Sequence, residues 1–515
     1  MFCLHESKHP SIPKLRTRTI LRRHSPTSIH SYAVTGIRLS SNSYRNENKK
    51  AVMLGTACRS SWNTGNLDFP KTFFFQICRL DGGFLILILS YVASPQCRTI
   101  FQVSHSVSAS SAPYRLSDAL NRHIPGLKST LLLRRRKKID GLEIHRTPAR
   151  RATDALRRHL AHGFDILLPE RRKDLPFSLN VLGMGFDTAQ MEKADVVHLH
   201  WIGGRTVDFS QLRHIRRPLV YTLHDMFACT AGCHCTMDCS LFQDECRGNC
   251  PQLGAPRLFR NIPAWLFSRK RRAFGRIPSL TLVTPSLWLK REVERSCMFP
   301  GRKIVQIYNP VDTDLFRPAE DRNAIRAGLG IPPGAFVIAC GATGLFNPVK
   351  GGHFIPLVLE ELYRRGHRNL HLLLFGNQEK SVDYPFPSTS AGFITDMNKL
   401  AGLYSAADIF LNPTLQDVLS NVALESMACK TPSVTFRTGG VPEAVLDGRT
   451  GLVAPQGNLN QMAAHCERLI QDGKLLQTLA EEGRRHAEQT FSYPVIAARH
   501  AALYEETLRE YRYEE

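Results

Sequence analysis

Short apolar runs that alternate with helical stretches are the feature that most restricts the fold of this chain. The runs 194–200, 218–223 and 280–284 each suit one buried strand, and polar residues follow each of them. A second series of the same kind begins with the run 335–340. Buried strands that alternate with helices are typical of parallel βαβ units, so the sequence predicts an α/β protein with two doubly wound domains.

The segment 312–318 follows the last strand of the first series and is the expected linker between the domains. We therefore expect an N-terminal domain over 98–311 and a C-terminal domain over 312–490. A long amphipathic helix is predicted over 491–515, where it could cross back to the N-terminal domain. Ligands of such sheets bind beyond the carboxyl ends of the strands, which places the expected site in the cleft between the domains.

Positive charge is spread unevenly over the 515 residues, whose formal net charge is +22. Residues 1–97 hold thirteen Lys and Arg against four Asp and Glu, and residues 115–174 hold sixteen against seven. Residues 1–97 are rich in Ser, Arg and His and lack a sustained period, so we predict a disordered extension there. A protein whose folded domains bind nucleic acid would spread its basic surface more widely, so we expect no nucleic-acid partner.

The basic stretch Arg115–Lys173 has two interpretations. It is either a solvated helical face or a surface that docks on anionic lipid. The second interpretation implies a cytoplasmic protein that is peripheral on the inner face of a membrane.

Two carboxylates bracket a predicted helix start in the second domain. Asp417 follows a strand and Glu425 lies about one turn into the next helix, so both side chains can face one pocket and bind sugar hydroxyls. The residues between them form the helix start: Leu419, Ser420, Asn421 and Val422. Free amides at such a start favour a phosphate group. On spacing alone, a simple helix cap with a solvated Glu425 is the stronger interpretation.

Other candidate residues also stand at strand ends. Gly341 opens a glycine loop that is expected to approach a phosphate, and Lys350 can neutralise a departing diphosphate. His224 can contact a sugar or an acceptor, with Asp225 orienting it or binding the acceptor. His198 and His200 alternate along one strand and share a face, which favours packing over a role in the cleft.

Several ordered motifs resemble those of glycosyltransferase family 4. The run 407–432 is similar to the donor-binding segment of that family, and the runs 438–443 and 447–453 follow at its distances. The run 307–312 resembles its interdomain motif, so the resemblance covers about residues 98–510. It implies the GT-B fold, in which two Rossmann-like domains face a cleft that holds a nucleotide sugar.

The same resemblance implies a retaining hexosyltransferase that needs no catalytic metal. Such an enzyme moves a sugar from a nucleotide-diphosphate sugar to a glycan or lipid-linked acceptor in polysaccharide biosynthesis. By position, Glu425 would bind the ribose, Asp417 would hold hydroxyls of the donor sugar, and Lys350 would be one member of a basic pair.

Two departures from the family pattern keep another function open. Asp417 stands where the family often has Glu, but the form 416–421 resembles the polysaccharide subgroup and does not imply loss of function. The first departure is that Leu345 and Asn347 occupy the region of the other basic residue. The loop 108–112 has serines where the family usually has a Gly-Gly pair. A degenerate GT-B protein that binds sugars without turnover is therefore the alternative hypothesis.

Six of the fourteen cysteines fall within 229–250. The segment 229–253 resembles a Cys-rich insert of the colanic-acid-type polysaccharide subgroup, and the positions that match are Cys233, Cys239, Cys246 and Cys250. Four thiolates could hold a structural Zn²⁺ ion, although disulfides and free thiols also fit this spacing. A zinc module beside basic runs would suit a nucleic-acid-binding protein, which is the least favoured hypothesis.

Overall fold

The computed structural model describes residues 72–80, 84–92 and 97–514, apart from 106, 134–141, 144–158, 160–171, 173, 255–259 and 378–381. The chain divides into two compact units, Met1–Gln96 and Cys97–Glu515. In the first unit, strands β1 (Thr72–Leu80) and β2 (Phe84–Val92) pair as an antiparallel hairpin. Of the predicted disordered extension, these two strands and Cys97 are described, and the rest lies outside the described residues.

The N-terminal domain is built on a parallel sheet of seven strands in the order β5-β4-β3-β6-β7-β8-β9. The strands are β3 (Thr99–Ser104), β4 (Lys128–Leu133), β5 (Leu142–Glu143), β6 (Val196–Leu199), β7 (Leu219–Thr222), β8 (Leu280–Thr284) and β9 (Ile304–Gln306). The order reverses between β3 and β6, and that switch point is where doubly wound sheets open a crevice for ligands.

Helices cover both faces of this sheet. They are α1 (Ala112–His123), α2 (Thr188–Met191), α3 (Ile262–Gly275) and α4 (Leu287–Arg295), with 3-10 turns at Phe209–His214, Met226–Cys229 and Leu241–Asp244. Local sequence fixes several helix starts. Pro113 stands in the first turn of α1, and the Ser286 hydroxyl accepts a hydrogen bond from the Leu289 amide at 3.1 Å to cap α4.

The C-terminal domain repeats this plan with six parallel strands in the order β12-β11-β10-β13-β14-β15. The strands are β10 (Phe336–Gly344), β11 (Leu370–Asn377), β12 (Ser388–Ser390), β13 (Ile409–Asn412), β14 (Ser433–Arg437) and β15 (Gly451–Pro455). The helices are α5 (Arg322–Gly328), α6 (Phe354–Arg364), α7 (Met397–Ala406), α8 (Asn421–Ala428), α9 (Val441–Ala444), α10 (Leu459–Gln471) and α11 (Gly473–His486). A 3-10 turn at Pro348–Lys350 and a π-helical turn at Ala487–Phe491 complete the domain.

Alternation along β10 shows why the second sheet is buried on both faces. Val337 and Ala339 belong to the core on one face, whereas Ile338 and Cys340 belong to the core on the other. A strand covered on both sides has to be apolar at every position, and this explains the unbroken hydrophobic run in the sequence.

The last helix, α12 (Tyr493–Glu514), crosses back to the N-terminal domain. Its Ile496 and Leu503 join a core cluster with Ile100 of β3 and Val196 of β6. The chain also passes between the domains at Val311, whose amide donates to the Phe491 carbonyl at 2.9 Å. The predicted α/β architecture with two doubly wound domains, and the predicted return of the terminal helix, are both confirmed.

Candidate functional site

Asp417 lies in the loop between β13 and α8, at the carboxyl end of the second sheet. The glycine pair that follows β14 supports this loop, because the Gly440 amide donates to the Asp417 carbonyl at 2.9 Å. Gly439 has a φ of +52°, and a Cβ there would collide with the same carbonyl oxygen. Glycine adopts this positive φ without strain and leaves room for the carbonyl oxygen. The 438–440 turn therefore fixes the backbone of Asp417.

Lys350 contacts the Asp417 carboxylate, with 2.7 Å between Nζ and Oδ2. The lysine ends the Pro348–Lys350 turn, and a Cβ on the next residue, Gly351, would collide with the Pro413 carbonyl. This close backbone approach holds Lys350 against the Asp417 loop. Burial by itself would lower the pKa of Lys350, but the attraction of Asp417 outweighs it and raises the pKa above its ordinary value.

Glu425 occupies a different environment. It is 3% exposed, its Oε2 accepts a hydrogen bond from the Tyr404 hydroxyl at 2.7 Å, and its Oε1 pairs with Arg115 of α1. Arg115 is 2% exposed and its guanidinium lies 5.3 Å from the ring centroid of Phe316. Burial favours a lower pKa for Arg115, yet the Glu425 carboxylate raises it. The two domains are therefore joined by a buried ion pair.

Both interpretations of the basic stretch are wrong for its first residue, because Arg115 is buried. Arg115 faces the protein interior instead of solvent or lipid, and Arg122 pairs with Asp312 at 2.7 Å in the interdomain linker. Most of the remaining stretch lies outside the described residues. Within the described part of the chain, no helix combines the length and apolar character that crossing a membrane requires.

Side chains at the start of α8 bind to the protein itself. The Ser420 hydroxyl accepts from Asn412 Nδ2 at 3.1 Å instead of capping the helix, and Asn421 Oδ1 accepts from Asn309 Nδ2 at 3.1 Å. Leu419 is buried and Val422 is half-buried. This segment can therefore offer an anion the backbone amides of its first turn.

The expectation that Gly341 lies in a phosphate-binding loop is wrong. Strand β10 continues through Gly344, and Gly341 pairs with Phe375 of β11 inside the sheet. A Cβ at Gly341 would collide with the Phe375 ring, so the missing side chain serves packing. Leu345, in the region of the absent basic residue, is 2% exposed and belongs to the core.

His224 on the N-terminal side is oriented by His200. The two rings stack with 5.2 Å between centroids, and 2.9 Å separates His200 Nδ1 from His224 Nε2. Burial lowers the pKa of His224 to about 4 and that of His200 well below its ordinary value, so both rings are neutral near pH 7. His200 and His198 are both buried, as predicted: His200 packs on His224, and His198 contacts Thr222 and Tyr504.

Asp225 does not orient His224. Its Oδ2 accepts from Trp201 Nε1 at 3.0 Å and from His234 Nδ1 at 2.7 Å, and its Oδ1 accepts from the Phe227 amide at 2.8 Å. Burial alone would raise the pKa of Asp225, but His234 and these hydrogen bonds lower it. The ionised Asp225 thus anchors the first turn of the Cys-rich insert.

The insert reaches the C-terminal domain next to Asp417. The Met237 amide donates to Gln416 Oε1 at 2.7 Å, and Gln416 Nε2 donates to the Thr236 hydroxyl at 3.1 Å. This segment of the insert therefore joins the two domains beside Asp417.

In the structure the four matching cysteines are free thiols. The Cys233 thiol lowers the pKa of Cys250 below its ordinary value, while Cys246 Sγ accepts from the Ala231 amide at 3.3 Å. Cys239 is half-buried. Across the described ranges, no group of three or more His, Cys, Asp or Glu side chains could hold a metal ion.

Sequence comparison places both domains. The family model described as "Glycosyltransferase Family 4" matches residues 113–315, and the one described as "Glycosyl transferases group 1" matches residues 337–472. A D-inositol 3-phosphate glycosyltransferase of Streptomyces bingchenggensis is 31% identical over 41% of this chain and 49% of its own length. The capsular polysaccharide biosynthesis glycosyltransferase CapM of Staphylococcus aureus is 28% identical over 34% of this chain and 47% of its own length. The chain thus spans about half the length of these curated relatives.

Solved structures of similar fold cover more of the chain. Sucrose-phosphate synthase from Thermosynechococcus elongatus superposes with a TM-score of 0.56 at 18% identity, covering 80% of this chain and 100% of that one. Anabaena HepE in complex with UDP-glucose gives a TM-score of 0.53 at 16% identity, covering 80% and 99%. At such identities the likeness shows the fold alone, which is the GT-B arrangement of two Rossmann-like domains. The two family models, which match in this order along the chain, assign residues 113–315 to glycosyltransferase family 4 and residues 337–472 to glycosyl transferases group 1, and the two-domain fold agrees with both.

Proposed function

We propose that this protein is a retaining, metal-independent glycosyltransferase. It moves a hexose from a nucleotide-diphosphate sugar to a glycan or lipid-linked acceptor. The observation that carries the proposal is the ion pair of Lys350 with Asp417, which stands directly before the uncapped start of α8. Likeness to the family, to HepE in complex with UDP-glucose and to a D-inositol 3-phosphate glycosyltransferase supports it.

The proposed donor site combines two sources of positive potential. The amides at the start of α8 face the diphosphate, and Lys350 contributes an ammonium group beside them. Charge that develops on a departing diphosphate is stabilised by such preorganised donors without a metal ion. Asp417, whose backbone is fixed by Gly440, is left to accept hydrogen bonds from hydroxyls of the donor sugar.

Glu425 remains the proposed ribose contact, with one condition that the sequence did not reveal. Each of its oxygens already has a partner, Arg115 or Tyr404. A carboxylate has about four lone-pair positions, so ribose hydroxyls can share Glu425 with these partners once the domains admit the nucleotide.

His224 acts in this proposal as a neutral hydrogen-bonding group. A histidine with a pKa of about 4 is neutral near pH 7 and cannot serve as a general acid there. Its function is therefore to orient the sugar or the acceptor. His200 keeps the ring in place through the 2.9 Å contact.

Polysaccharide biosynthesis on the cytoplasmic face of a membrane is the proposed setting. The name of the similar CapM protein, which mentions capsular polysaccharide biosynthesis, supports this choice of acceptor. Peripheral attachment to an anionic membrane is proposed from the basic composition of residues 115–174.

A panel of UDP-sugars and GDP-sugars tests the proposal. One of them should raise the melting temperature and be turned over, and the anomeric configuration of the product, read by proton NMR, should match that of the donor. Lys350→Met should lose turnover, while Lys399→Met, at an exposed lysine of α7, should not. Binding without turnover would favour the degenerate sugar-binding protein, and an inverted product would contradict retention.

A further inference from the structure

The N-terminal domain contains a strongly basic pocket that the proposed donor site does not use. It is a cavity of about 200 Å³ between α3 and the 3-10 turn Phe209–His214. Five cationic side chains and one carboxylate line it: Arg213, Arg269, Lys270, Arg272, Arg276 and Asp208. A concave surface with this excess of positive charge favours an anionic ligand.

Three of the arginines come from one side of α3 and its C-terminal cap. Arg269 and Arg272 belong to the helix and Arg276 caps it, and the spacings of three and four residues place their side chains above one another. They therefore bring three positive charges to one wall of the cavity.

Other arginines of the same domain are neutralised by carboxylates. Arg271, the immediate neighbour of Arg272, pairs with Glu245, and Arg217 lies 3.4 Å from Glu192. By contrast, within the ranges described by the structure, no ion pair joins Arg213, Arg272 or Arg276 to a carboxylate. Three arginines without a carboxylate partner thus stand together at the cavity.

Lys270 connects the cavity to the N-terminal side of the cleft. It is 4% exposed, and its Nζ donates to the carbonyls of Phe227 and Thr230, with 3.0 Å to the latter. The Phe227 amide in turn donates to Asp225, which follows His224 directly. One hydrogen-bonded path therefore links the wall of the cavity to the strand end where we place the acceptor.

We propose that this pocket binds a phosphate ester group carried by the acceptor. Guanidinium groups hold phosphate oxygens through paired N–H donors, and several arginines around one cavity provide this geometry. The assignment of this phosphate to an acceptor rests on the proposed transferase function. The binding of a phosphate ester by the pocket does not. The phosphate can belong to a soluble sugar phosphate or to a lipid headgroup, because both present the same oxygens.

The test compares two double variants that remove the same charge. Arg272→Gln/Arg276→Gln empties the pocket of two guanidinium groups, and Arg98→Gln/Arg291→Gln removes two exposed arginines elsewhere in the domain. Calorimetric titration at low salt measures binding of inorganic phosphate and glucose 1-phosphate, and co-sedimentation measures binding to phosphatidylglycerol/phosphatidylcholine vesicles. Melting temperatures of both variants should match that of the unmodified protein, which shows that each has folded.

We expect the pocket variant to bind glucose 1-phosphate at least tenfold more weakly, with less than a twofold change in the control variant. If only vesicle binding falls in the pocket variant, the phosphate comes from a lipid headgroup. Equal losses in both variants, or no binding of any probe by the unmodified protein, would overturn the proposal. Because no nucleotide sugar is present, failure of the proposed transferase activity leaves this result unaffected.

Discussion

The two carboxylates that bracket the start of α8 are bound to cations in opposite ways. Glu425 is buried and pairs with Arg115 of the other domain, at 3% and 2% exposure. Asp417 pairs with Lys350 of its own domain, and these side chains are 18% and 38% exposed. A buried pair costs a large desolvation energy, so its members depend on each other. A half-exposed pair contributes little to stability and can exchange its partners for a ligand.

This difference indicates that the two carboxylates of one motif have different roles. Glu425 has a structural task between the domains that Asp417 does not have, although both carry the same charge and lie eight positions apart. Substitutions at the two positions should consequently differ in what they damage.

Removing Glu425 should have the largest effect on stability. Glu425→Ala leaves the buried Arg115 without its counter-charge, which we expect to lower the free energy of unfolding by about 3–5 kcal/mol. Nucleotide binding and transfer should be lost as well. Chemical denaturation, followed by fluorescence, measures the first effect, and calorimetric titration with the nucleotide measures the second.

A paired variant provides the control for this prediction. Arg115→Met/Glu425→Leu removes both charges and fills the space with apolar groups, so it should recover most of the lost stability while nucleotide binding stays absent. If Glu425→Ala unfolds like the unmodified protein, the buried ion pair does not tie the domains and the contrast with Asp417 fails.

Lys350 should show the reverse behaviour. Lys350→Met is expected to change the free energy of unfolding by less than about 1 kcal/mol, because the pair with Asp417 is half-exposed. The same change should lower kcat by about 10²–10³-fold, since it removes a charge beside the departing diphosphate. Steady-state kinetics and thermal melting of one preparation check both statements. A loss of stability without a loss of turnover would assign Lys350 a structural task.

The N-terminal side of the cleft offers a third arrangement, in which buried titratable groups lack an opposite charge. Burial lowers the pKa of His500 to about 4, below the value near 6.5 of an unfolded chain. Between these values the unfolded chain binds more protons than the folded one, so stability falls as the pH decreases from about 6.5 to about 4. Each such histidine contributes roughly 1–3 kcal/mol to this loss.

His500→Gln should flatten the dependence of stability on pH in this range, and His353→Gln, at an exposed position, should leave it unchanged. Denaturant midpoints measured at pH 7.5, 6, 5 and 4.5 provide the comparison. Equal slopes in the two variants would show that His500 is not the group that resists protonation.

Sequence alone predicted the parts of this structure that depend on local pattern. Buried strands such as β8 follow from apolar runs, and the structure confirms them. The predicted helix start at Asn421 is also confirmed, although the Ser420 side chain does not cap it. Strand β15 is not predicted from the sequence, because it begins with Gly451 and ends with Pro455, two residues that normally interrupt strands. Gly341 was misplaced for the related reason that a glycine after an apolar run indicates a turn, whereas here it accommodates Phe375.

Contacts between distant residues could not be predicted from one sequence. Arg115 and Glu425 lie 310 positions apart, and nothing in either local pattern indicates that the guanidinium of one domain neutralises the carboxylate of the other. Asp225 and His224 are adjacent in sequence, yet each selects a different histidine, because side chains that alternate at a strand end face opposite ways. The residues of the motif were thus visible, and their partners were not.

A neutral contact between the domains completes the comparison. Gln416 precedes Asp417 and binds Met237 and Thr236 of the Cys-rich insert at 2.7 and 3.1 Å. Gln416→Ala should lower the free energy of unfolding by only about 1–2 kcal/mol, because two neutral hydrogen bonds are lost and no charge is stranded. Since the insert rests on this contact, we expect the KM for the acceptor to rise severalfold at unchanged KM for the donor. Donor and acceptor titrations of one preparation distinguish these effects, and an equal rise in both would mean that Gln416 supports the Asp417 loop instead of the insert.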